Sequence, residues 1–500
     1  MLRRTGVPMV LPVFRNGHTG VFKKARVVPT PVPRRRSTMS KPFVILPLAI
    51  TLLAAAGSMG ADREPITTVL YDPNEVQPYV SYLKAHAKQP VEYVLKLFES
   101  HDLVILAERT HSETTQWDFI YELTAAPRFT EQVGHVFTEY GSVSQQQSLE
   151  QLMTTGDLGE EEVGRRVITI LRNFPTHPHG WHNNNFFDYL KKLYELNQSL
   201  AVDERIKLYF CDVPWQWEGK TKEDYDLFWK TQMPKRDQIM ANHIVSKFRE
   251  ILASDSKRKK ALVIMNTRHA FRTGGNSIAD YLFGNSTAEC LFRVFPKTAA
   301  NVMLNMKAAY FKGVSERSMT HVLIQDGKWD AAFWILGNSP SAFDFEDSPF
   351  GKDRFDLHSA FARFGGLKYE DVFTGMIFYQ PLGSHLVASD IPGYYDEEFK
   401  QTVLRRAQLV GGEDHDRIAR FLQGVETDSD VRKKREERTA RRLWHRLEFK
   451  IGSRPVKPNI RLSDKQAPVE SSRPVKVDAA AGERLPSGKE IIDLSTGDAD

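Results

Sequence analysis

The stretch that decides the fold reads LVILAERTHSE and runs from Leu103 to Glu113. Its first five residues are apolar, which is typical of a strand that is buried on both faces of a sheet. The run ends abruptly at Glu108, and His111 follows three residues later. A carboxylate and an imidazole at the end of a buried strand need a partner or a functional purpose, because burying a charge is costly.

Apolar runs of strand length alternate along the chain with segments of helical spacing. The predicted strands are 103–107, 134–140, 206–211, 261–265 and 290–295, and the predicted helices are 91–100, 114–123, 145–153, 233–252 and 278–282. Near-continuous apolar strands separated by helices are typical of a mostly parallel sheet that is covered on both faces. The sequence therefore predicts an α/β fold, and we expect residues 302–425 to add edge strands and helices to the same large domain.

Polar side chains follow four of the predicted strands, at the point where each strand ends. In chain order they are Glu108 and His111, then Glu139, then Asp212, and finally Asn266, Arg268 and His269. The carboxyl ends of parallel strands meet at one edge of the sheet, and ligands bind in the crevice there. We therefore expect four separate segments to deliver these side chains to one shared cleft.

The residue types in this set suit hydrolysis. A histidine held by a carboxylate can take a proton from water near neutral pH, a role typically worth ~10²–10⁴ in rate. We expect His111 to be this general base, with Glu108 and Glu139 as the carboxylates that orient and polarise it. His269 with Arg268 would stabilise the transition state.

Two other interpretations of the same residues stay open. His111, Glu139 and His269 could bind one divalent metal ion, because such ions accept imidazole and carboxylate ligands together. Each residue also has a purely structural interpretation. Glu108, for example, could be a carboxylate near the N-terminus of the helix that follows.

A second histidine-rich segment contains His177, His179 and His182 within six residues. A metal or haem site is one interpretation, but Pro178 and Gly180 make the segment irregular and its spacing fixes no geometry. We therefore favour a loop that lines a pocket or the surface. The predicted substrate contacts are His182, Asp212 and Trp215.

Several other chemistries lack their sequence signatures. The chain has no G-x-S-x-G nucleophile elbow, no phosphate-binding P-loop, no G-x-G-x-x-G after a strand and no H-E-x-x-H. Nucleophilic serine catalysis, nucleotide binding and zincin proteolysis are therefore not indicated.

The first 61 residues predict a signal or targeting segment. They carry ten Lys or Arg and no Asp or Glu, so subtracting ten from the net charge of +5 leaves about −5 for the rest of the chain. This mildly acidic remainder gives no charge-based reason to expect a nucleic-acid partner. The apolar run 43–56 lies behind the basic stretch and before small residues, which is the order of an export signal. We expect an exported protein, periplasmic or extracellular, with a retained membrane tether through residues 43–56 as the alternative.

The other end of the chain is also expected to be separate. From residue 427 the apolar periodicity is lost, and residues 427–500 predict a short basic helix followed by a disordered tail. The large α/β domain is accordingly placed at residues 62–426. Only two cysteines occur, Cys211 and Cys290, both in apolar runs, and the sequence leaves open whether they pair.

Three segments resemble a known family. In order, VILAERTHSE, VFTEYGS and ALVIMNTRHAF are similar to motifs of the erythromycin esterase-like group, which is related to the Tiki and ChaN haem-binding-uptake proteins. The first motif of the family is Gly-Glu-x-x-His, which Glu108 and His111 match while Ala107 replaces the glycine. The helix motif Arg-Asp-x-x-Met is matched from Arg236 to Met240, and the last motif ends in a histidine, matched by His269.

The resemblance spans about 103–296 and implies an α/β domain with an accessible His–Glu cleft. In erythromycin esterases the histidine of the first motif is taken as the base that activates water against a lactone ester. The resemblance therefore implies a hydrolase that acts on an ester or related bond of a small molecule. The alternatives that it implies are a ChaN-like haem- or metal-binding protein without turnover and a Tiki-like metal-dependent hydrolase.

Overall fold

The computed structural model describes residues 66–175, 177–272, 285–311, 319–357, 366–423 and 442–452. The predicted signal segment 1–61, the predicted helix 278–282 and most of the predicted tail lie outside these residues. Within them, no helix is long and apolar enough to cross a membrane.

The strands in chain order are β1 (Ile66–Tyr71), β2 (Leu103–Glu108), β3 (His135–Ser142), β4 (Lys207–Asp212), β5 (Ala261–Asn266), β6 (Ala299–Leu304), β7 (Ala308–Phe311), β8 (Met319–Val322), β9 (Ser341–Asp344), β10 (Gly375–Phe378) and β11 (Arg446–Ile451).

The helices are α1 (Pro73–His86), α2 (Pro90–Ser100), α3 (Thr115–Thr124), α4 (Pro127–Gln132), α5 (Gln146–Thr154), α6 (Glu160–Leu171), α7 (Asn184–Ser199), α8 (Lys222–Thr231), α9 (Arg236–Ala253), α10 (Thr287–Val294), α11 (Lys328–Ile335), α12 (Pro349–Lys352), α13 (Tyr369–Val372), α14 (Glu397–Val410) and α15 (Gly412–Gln423).

Seven of these strands form one central sheet in the order β4-β3-β5-β2-β6-β10-β9. Every neighbouring pair is parallel except β9 with β10, which is antiparallel at one edge. The α/β fold with a mostly parallel sheet is thereby confirmed. The order also places the predicted strands β2, β3, β4 and β5 side by side, so their carboxyl ends share one edge.

Helices cover both faces of this sheet, which explains the continuous apolar runs. Alternate residues of β2 point to opposite faces, so Val104 and Leu106 belong to one apolar core. Leu103, Ile105 and Ala107 belong to the other. Because both faces are buried, the strand cannot carry a polar side chain until its carboxyl end. This is why Glu108 stands where it does.

One predicted strand is wrong. Residues 290–294 lie in α10. The start of this helix is capped by Ser286, whose side chain accepts a hydrogen bond of 3.1 Å from the Glu289 amide. The apolar run has helical spacing, with Ala288 and Leu291 buried on one side of the helix. The strand that actually pairs with β2 on that side is the next one, β6.

A separate two-stranded sheet joins the two ends of the described chain. β1 pairs in parallel with β11, with Ile66 opposite Arg446 and Tyr71 opposite Ile451. Residues 446–451 therefore form a strand within the segment 427–500, for which the sequence predicts a basic helix and a disordered tail. The two cysteines are both free and buried, so the pairing left open by the sequence is not made in this structure.

Candidate active site

A cavity of about 1060 Å³ opens at the carboxyl edge of the central sheet. Five of the residues predicted from the strand ends line it, namely His111, Glu139, Asn266, Arg268 and His269. The parallel register explains this convergence, because Glu108 of β2 lies directly beside Asn266 of β5. The topology thus brings together residues that are far apart in the sequence.

His111 is held at one ring nitrogen by Glu108. Its Nδ1 lies 2.8 Å from Oε2 of Glu108, which is fully buried, while the His111 side chain keeps 36% of its surface exposed. The Trp181 and Tyr140 rings stand nearly perpendicular to the imidazole, with ring centroids at 4.9 and 5.0 Å from it. None of the described residues hydrogen-bonds to Nε2. His111 therefore lines the cavity with one nitrogen anchored and the other available.

Two further side chains hold Glu108 in place. The Tyr140 hydroxyl donates to Oε1 of Glu108 and also lies 2.7 Å from Nδ1 of His111. Gln116 of α3 donates to the same Oε1 at 3.0 Å. With Oε1 occupied by two donors, Oε2 is left to accept from the His111 Nδ1–H. This network assigns the proton to Nδ1, which makes Nε2 the basic nitrogen.

The charge of Glu108 also decides the basicity of His111. Burial alone would lower the pKa of His111, but the adjacent Glu108 carboxylate outweighs it, so the pKa is raised above its ordinary 6.5. The neutral imidazole, which can accept a proton, is therefore increasingly populated as the pH rises through this raised pKa.

Glu139 is buried in β3, directly after Thr138, where the register of the strand shifts, and it lies between several donors. Its Oε1 accepts from the backbone N–H of Asn266, and its Oε2 lies 3.4 Å from Nη2 of Arg236 and 3.3 Å from Nε2 of His269. Burial would raise the pKa of Glu139, but His269, His111 and Arg236 together outweigh it and lower the pKa. Glu139 therefore stays ionised beside the cavity.

Arg236, the first residue of α9, contacts side chains of β3, of β4 and of the turn that follows β5. Its guanidinium forms a two-pronged ion pair with Asp212 at the end of β4, with distances of 2.7 and 2.9 Å. Besides Glu139, it contacts Nε2 of His269 at 3.4 Å. Asp212 is fully buried and does not line the cavity. The structure thus places the predicted substrate contact Asp212 behind Arg236.

His269 is enclosed by partners on both ring nitrogens. Its Nδ1 lies 2.6 Å from Asp237, whose Oδ1 also accepts from the amide and hydroxyl of Thr287 at 2.8 Å each. Burial would raise the pKa of Asp237, but His269 and the Thr287 donors lower it to about 2. A second histidine–carboxylate pair therefore faces the same cavity as the first.

The histidine-rich loop lies on the wall of this cavity. His177, His179 and His182 all line it, and the rings of His179 and His182 are 5.1 Å apart. Burial lowers the pKa of His177 to about 3, helped by neighbouring charges, and that of His182 to about 4. The imidazoles of His177 and His182 are therefore neutral at physiological pH. The interpretation as a pocket-lining loop agrees with this placement.

Trp215, the third predicted substrate contact, lies elsewhere. It packs in a small apolar cluster with Trp217, Tyr225 and Phe228 and is not among the residues that line the cavity. The tryptophans on the cavity wall are Trp181 and Trp229 instead.

One group of side chains in the described part of the chain could hold a metal ion. It consists of Glu108, His111 and Glu139, with one donor atom from each within 4.8 Å of the others. Carboxylate and imidazole donors suit a divalent ion such as Zn²⁺. The metal ligands predicted from the sequence, His111, Glu139 and His269, include His269 in place of Glu108. His269 offers less as a ligand, because Asp237 holds Nδ1 and Arg268 donates to Nε2 at 3.1 Å.

Sequence reasoning missed Tyr140, Gln116 and Trp229. Tyr140 follows Glu139 directly, and successive residues of a regular strand point to opposite faces. The pairing of β3 with β4 shifts register between Thr138 and Ser142, and this irregularity lets both residues reach the cavity. No signal in the sequence marks that shift.

Comparisons with known proteins give remote likenesses only. No protein-family model matches the sequence, and no curated protein matches it. Among solved structures, a protein from Bacillus cereus is 10% identical, covers 61% of this chain and 97% of its own, and has a TM-score of 0.37. An erythromycin esterase, a mutant of EreC in its open conformation, is 10% identical, covers 58% and 96%, and has a TM-score of 0.37.

A third match is ChaN of Campylobacter jejuni with cofacial haem, which is 11% identical, covers 47% of this chain and 91% of its own, and has a TM-score of 0.26. The matches therefore include an erythromycin esterase and a ChaN protein, the two groups that the sequence motifs resemble. At these identities and TM-scores they assign no activity, substrate or cofactor to this chain.

Proposed function

We propose that this protein is a hydrolase of the erythromycin esterase-like kind, in which His111 activates water against an ester or related bond. The observation that carries the proposal is the hydrogen bond from His111 Nδ1 to the buried Glu108, which leaves Nε2 free on a large cavity. A histidine that acts as a general base requires this arrangement. The hydrogen bond at Nδ1 fixes the tautomer and the orientation of the ring, and Nε2 is left to take the proton.

In the proposed reaction, Nε2 of His111 takes a proton from water while the water oxygen bonds to the substrate carbonyl carbon. Glu108 stabilises the imidazolium that forms. The tetrahedral intermediate collapses with cleavage of the carbon–oxygen ester bond, and the imidazolium returns its proton to the leaving alcohol. His269, held by Asp237, and Arg236 lie on the same cavity wall and would surround the tetrahedral intermediate.

We also propose that the protein is exported to the periplasm or the outside of the cell and acts there on a small molecule. The support is the basic and apolar segment within residues 1–61, with residues 43–56 as a membrane tether in the alternative case. Intact-mass measurement on protein recovered from the soluble exported fraction and from the membrane tests this. A soluble exported form that lacks the apolar run supports a cleaved signal, and a membrane-bound form that keeps it supports the tether.

The catalytic proposal is tested with purified full-length protein and a panel of simple esters and lactones. His111→Ala and Glu108→Gln should each lower kcat by about two orders of magnitude or more. His86→Ala is the matched control, because His86 is exposed near the end of α1 and should leave the rate unchanged. Retained activity in both site variants, with folding verified by circular dichroism, would overturn the proposal.

A metal-dependent hydrolase is the second candidate, and the Glu108–His111–Glu139 group favours it. These three residues would hold a divalent ion, which could supply a Lewis acid beside the cavity. Elemental analysis of the untreated protein, and activity before and after dialysis against a chelator, separate the two cases. A visible absorption titration with haem tests the non-catalytic alternative, since the histidines of the loop, His177, His179 and His182, lie on the cavity wall.

A further inference from the structure

Arg268 differs from every other charged group on the cavity wall. It follows β5 in a short turn, its side chain is exposed, and it lines the cavity. Its Nε donates to Nε2 of His269 at 3.1 Å. Among the residues that the structure describes, none places a carboxylate within ion-pair distance of its guanidinium, and its two Nη nitrogens have no hydrogen-bond partner there.

The other charges at this edge are already compensated. Arg236 is neutralised by the two-pronged pair with Asp212. Glu139 lies between Arg236 and His269, and Asp237 is held by His269 and Thr287. The remaining carboxylate, Glu108, pairs with His111. Within the described part of the chain, a ligand that enters the cavity therefore meets one charged group with unused donors, and this group is Arg268.

Apolar surface lines the same cavity. Phe174, Trp181, Trp229, Met233 and Pro234 contribute to its wall, and 41% of the surface of Trp229 is exposed. An exposed tryptophan on a concave wall offers a flat surface on which a ring or an acyl chain can pack. The cavity thus combines an apolar wall with a guanidinium that no carboxylate of the described residues pairs with.

We propose that Arg268 is a substrate-binding residue and that the substrate class is amphiphilic and anionic. Such a substrate has an apolar part that packs on the Trp229 side of the cavity and a carboxylate or phosphate group that Arg268 binds. The planar guanidinium suits both groups, because each presents two oxygens to its paired N–H donors. This inference rests on the proposed function for the reacting bond, but the binding of the anion does not depend on it.

The first experiment measures binding and needs no turnover. Phenylacetate and phenyl phosphate are titrated calorimetrically into the full-length protein, with phenylacetamide as the uncharged isostere of phenylacetate. A hydrogen bond to a charged group contributes enough for phenylacetate to bind about ten- to a hundred-fold more tightly than the amide. Arg268→Gln should remove this difference, whereas Arg405→Gln, a change of an exposed arginine on α14, should keep it. Comparison of the two anions shows which oxyanion is preferred.

The second experiment uses turnover. The 4-nitrophenyl monoester of succinic acid carries a carboxylate that 4-nitrophenyl acetate lacks. The wild-type ratio of kcat/KM between the charged and the neutral ester should fall at least tenfold in Arg268→Gln, with the loss in KM. Arg268→Lys should keep part of the ratio, because it retains the charge but loses the planar pair of donors.

The outcomes separate the two proposals. Cleavage of esters without any preference for the charged one, together with equal binding of phenylacetate and phenylacetamide, overturns this inference and leaves the proposed function standing. Binding of phenylacetate that depends on Arg268, in a protein that cleaves no ester, supports this inference and overturns the proposed function.

Discussion

His135 is buried at the start of β3, and its replacement should change how the stability of the domain responds to pH. Only 2% of its surface is exposed, its Nδ1 lies 3.2 Å from the Tyr209 hydroxyl, and its Nε2 is buried without a hydrogen-bond partner. Burial, with a contribution from the positive charges of Arg258 and Lys207, lowers the pKa of His135 to about 3. The folded protein therefore holds this imidazole in its neutral form.

The sign of the effect follows from the two pKa values. In the unfolded chain the pKa of a histidine is about 6.5, so the unfolded state binds a proton as the pH falls below that value, while the folded state does so only near pH 3. Stability is complete above about pH 6.5 and is lost as the pH falls toward 3. pH 5 lies about 1.5 pH units below the pKa of the unfolded state. At about 1.36 kcal/mol per unit, protonation of the unfolded state lowers the free energy of unfolding at this pH by ~2 kcal/mol.

His135→Gln removes this titration. The free energy of unfolding of the wild type should fall between pH 7 and pH 5 by about 2 kcal/mol more than that of the variant. Urea denaturation at both pH values, followed by tryptophan fluorescence, measures the difference. Any packing energy that the substitution removes is the same at both pH values and cancels. The control is His86→Gln, a change of an exposed histidine on α1 that should leave the difference as in the wild type. Equal pH responses of wild type and His135→Gln would refute the reasoning.

Three further outcomes are expected. Arg236→Met should lower the free energy of unfolding by about 3–5 kcal/mol, because it leaves the buried carboxylate of Asp212 without its ion-pair partner. Adding Asp212→Asn should recover part of the loss in the same urea assay. Gly134→Ala should cost about 2–4 kcal/mol by thermal denaturation, because φ is +65° there and an added Cβ would overlap a buried guanidinium. A thiol reagent should label no cysteine in the native protein and both Cys211 and Cys290 after unfolding, since both are free and buried.

The carboxyl edge of the sheet could be predicted because it depends on local pattern alone. β2 is buried on both faces and apolar up to its carboxyl end, so Glu108 marks that end in the sequence itself, whereas Glu139 lies inside β3, which continues to Ser142. The parallel order then follows from the intervening helices. His111 was predictable for the same reason, because it follows Glu108 in the loop that leaves the sheet.

Contacts between distant elements could not be predicted in this way. Tyr140 reaches Glu108 only through the register shift in β3, which depends on how β3 pairs with β4. Trp215 follows a strand end as the site residues do, yet it packs under α8 in an apolar cluster of its own. The run 290–295 looked like a strand because its composition suits both structures, and the Ser286 cap decided for the helix.

The pairing of β1 with β11 has a consequence for synthesis on the ribosome. β1 is the first described strand, and its partner is the last, so β1 leaves the exit tunnel long before residues 446–451 have been translated. Until then this edge has no partner, and an unpaired edge is a template for association with other chains. A polypeptide that ends between Phe378 and Arg446, because of a premature stop or a protease, would leave the edge open permanently. Such fragments should be the species that chaperones retain and that accumulate as insoluble material, even though every strand of the central sheet is present.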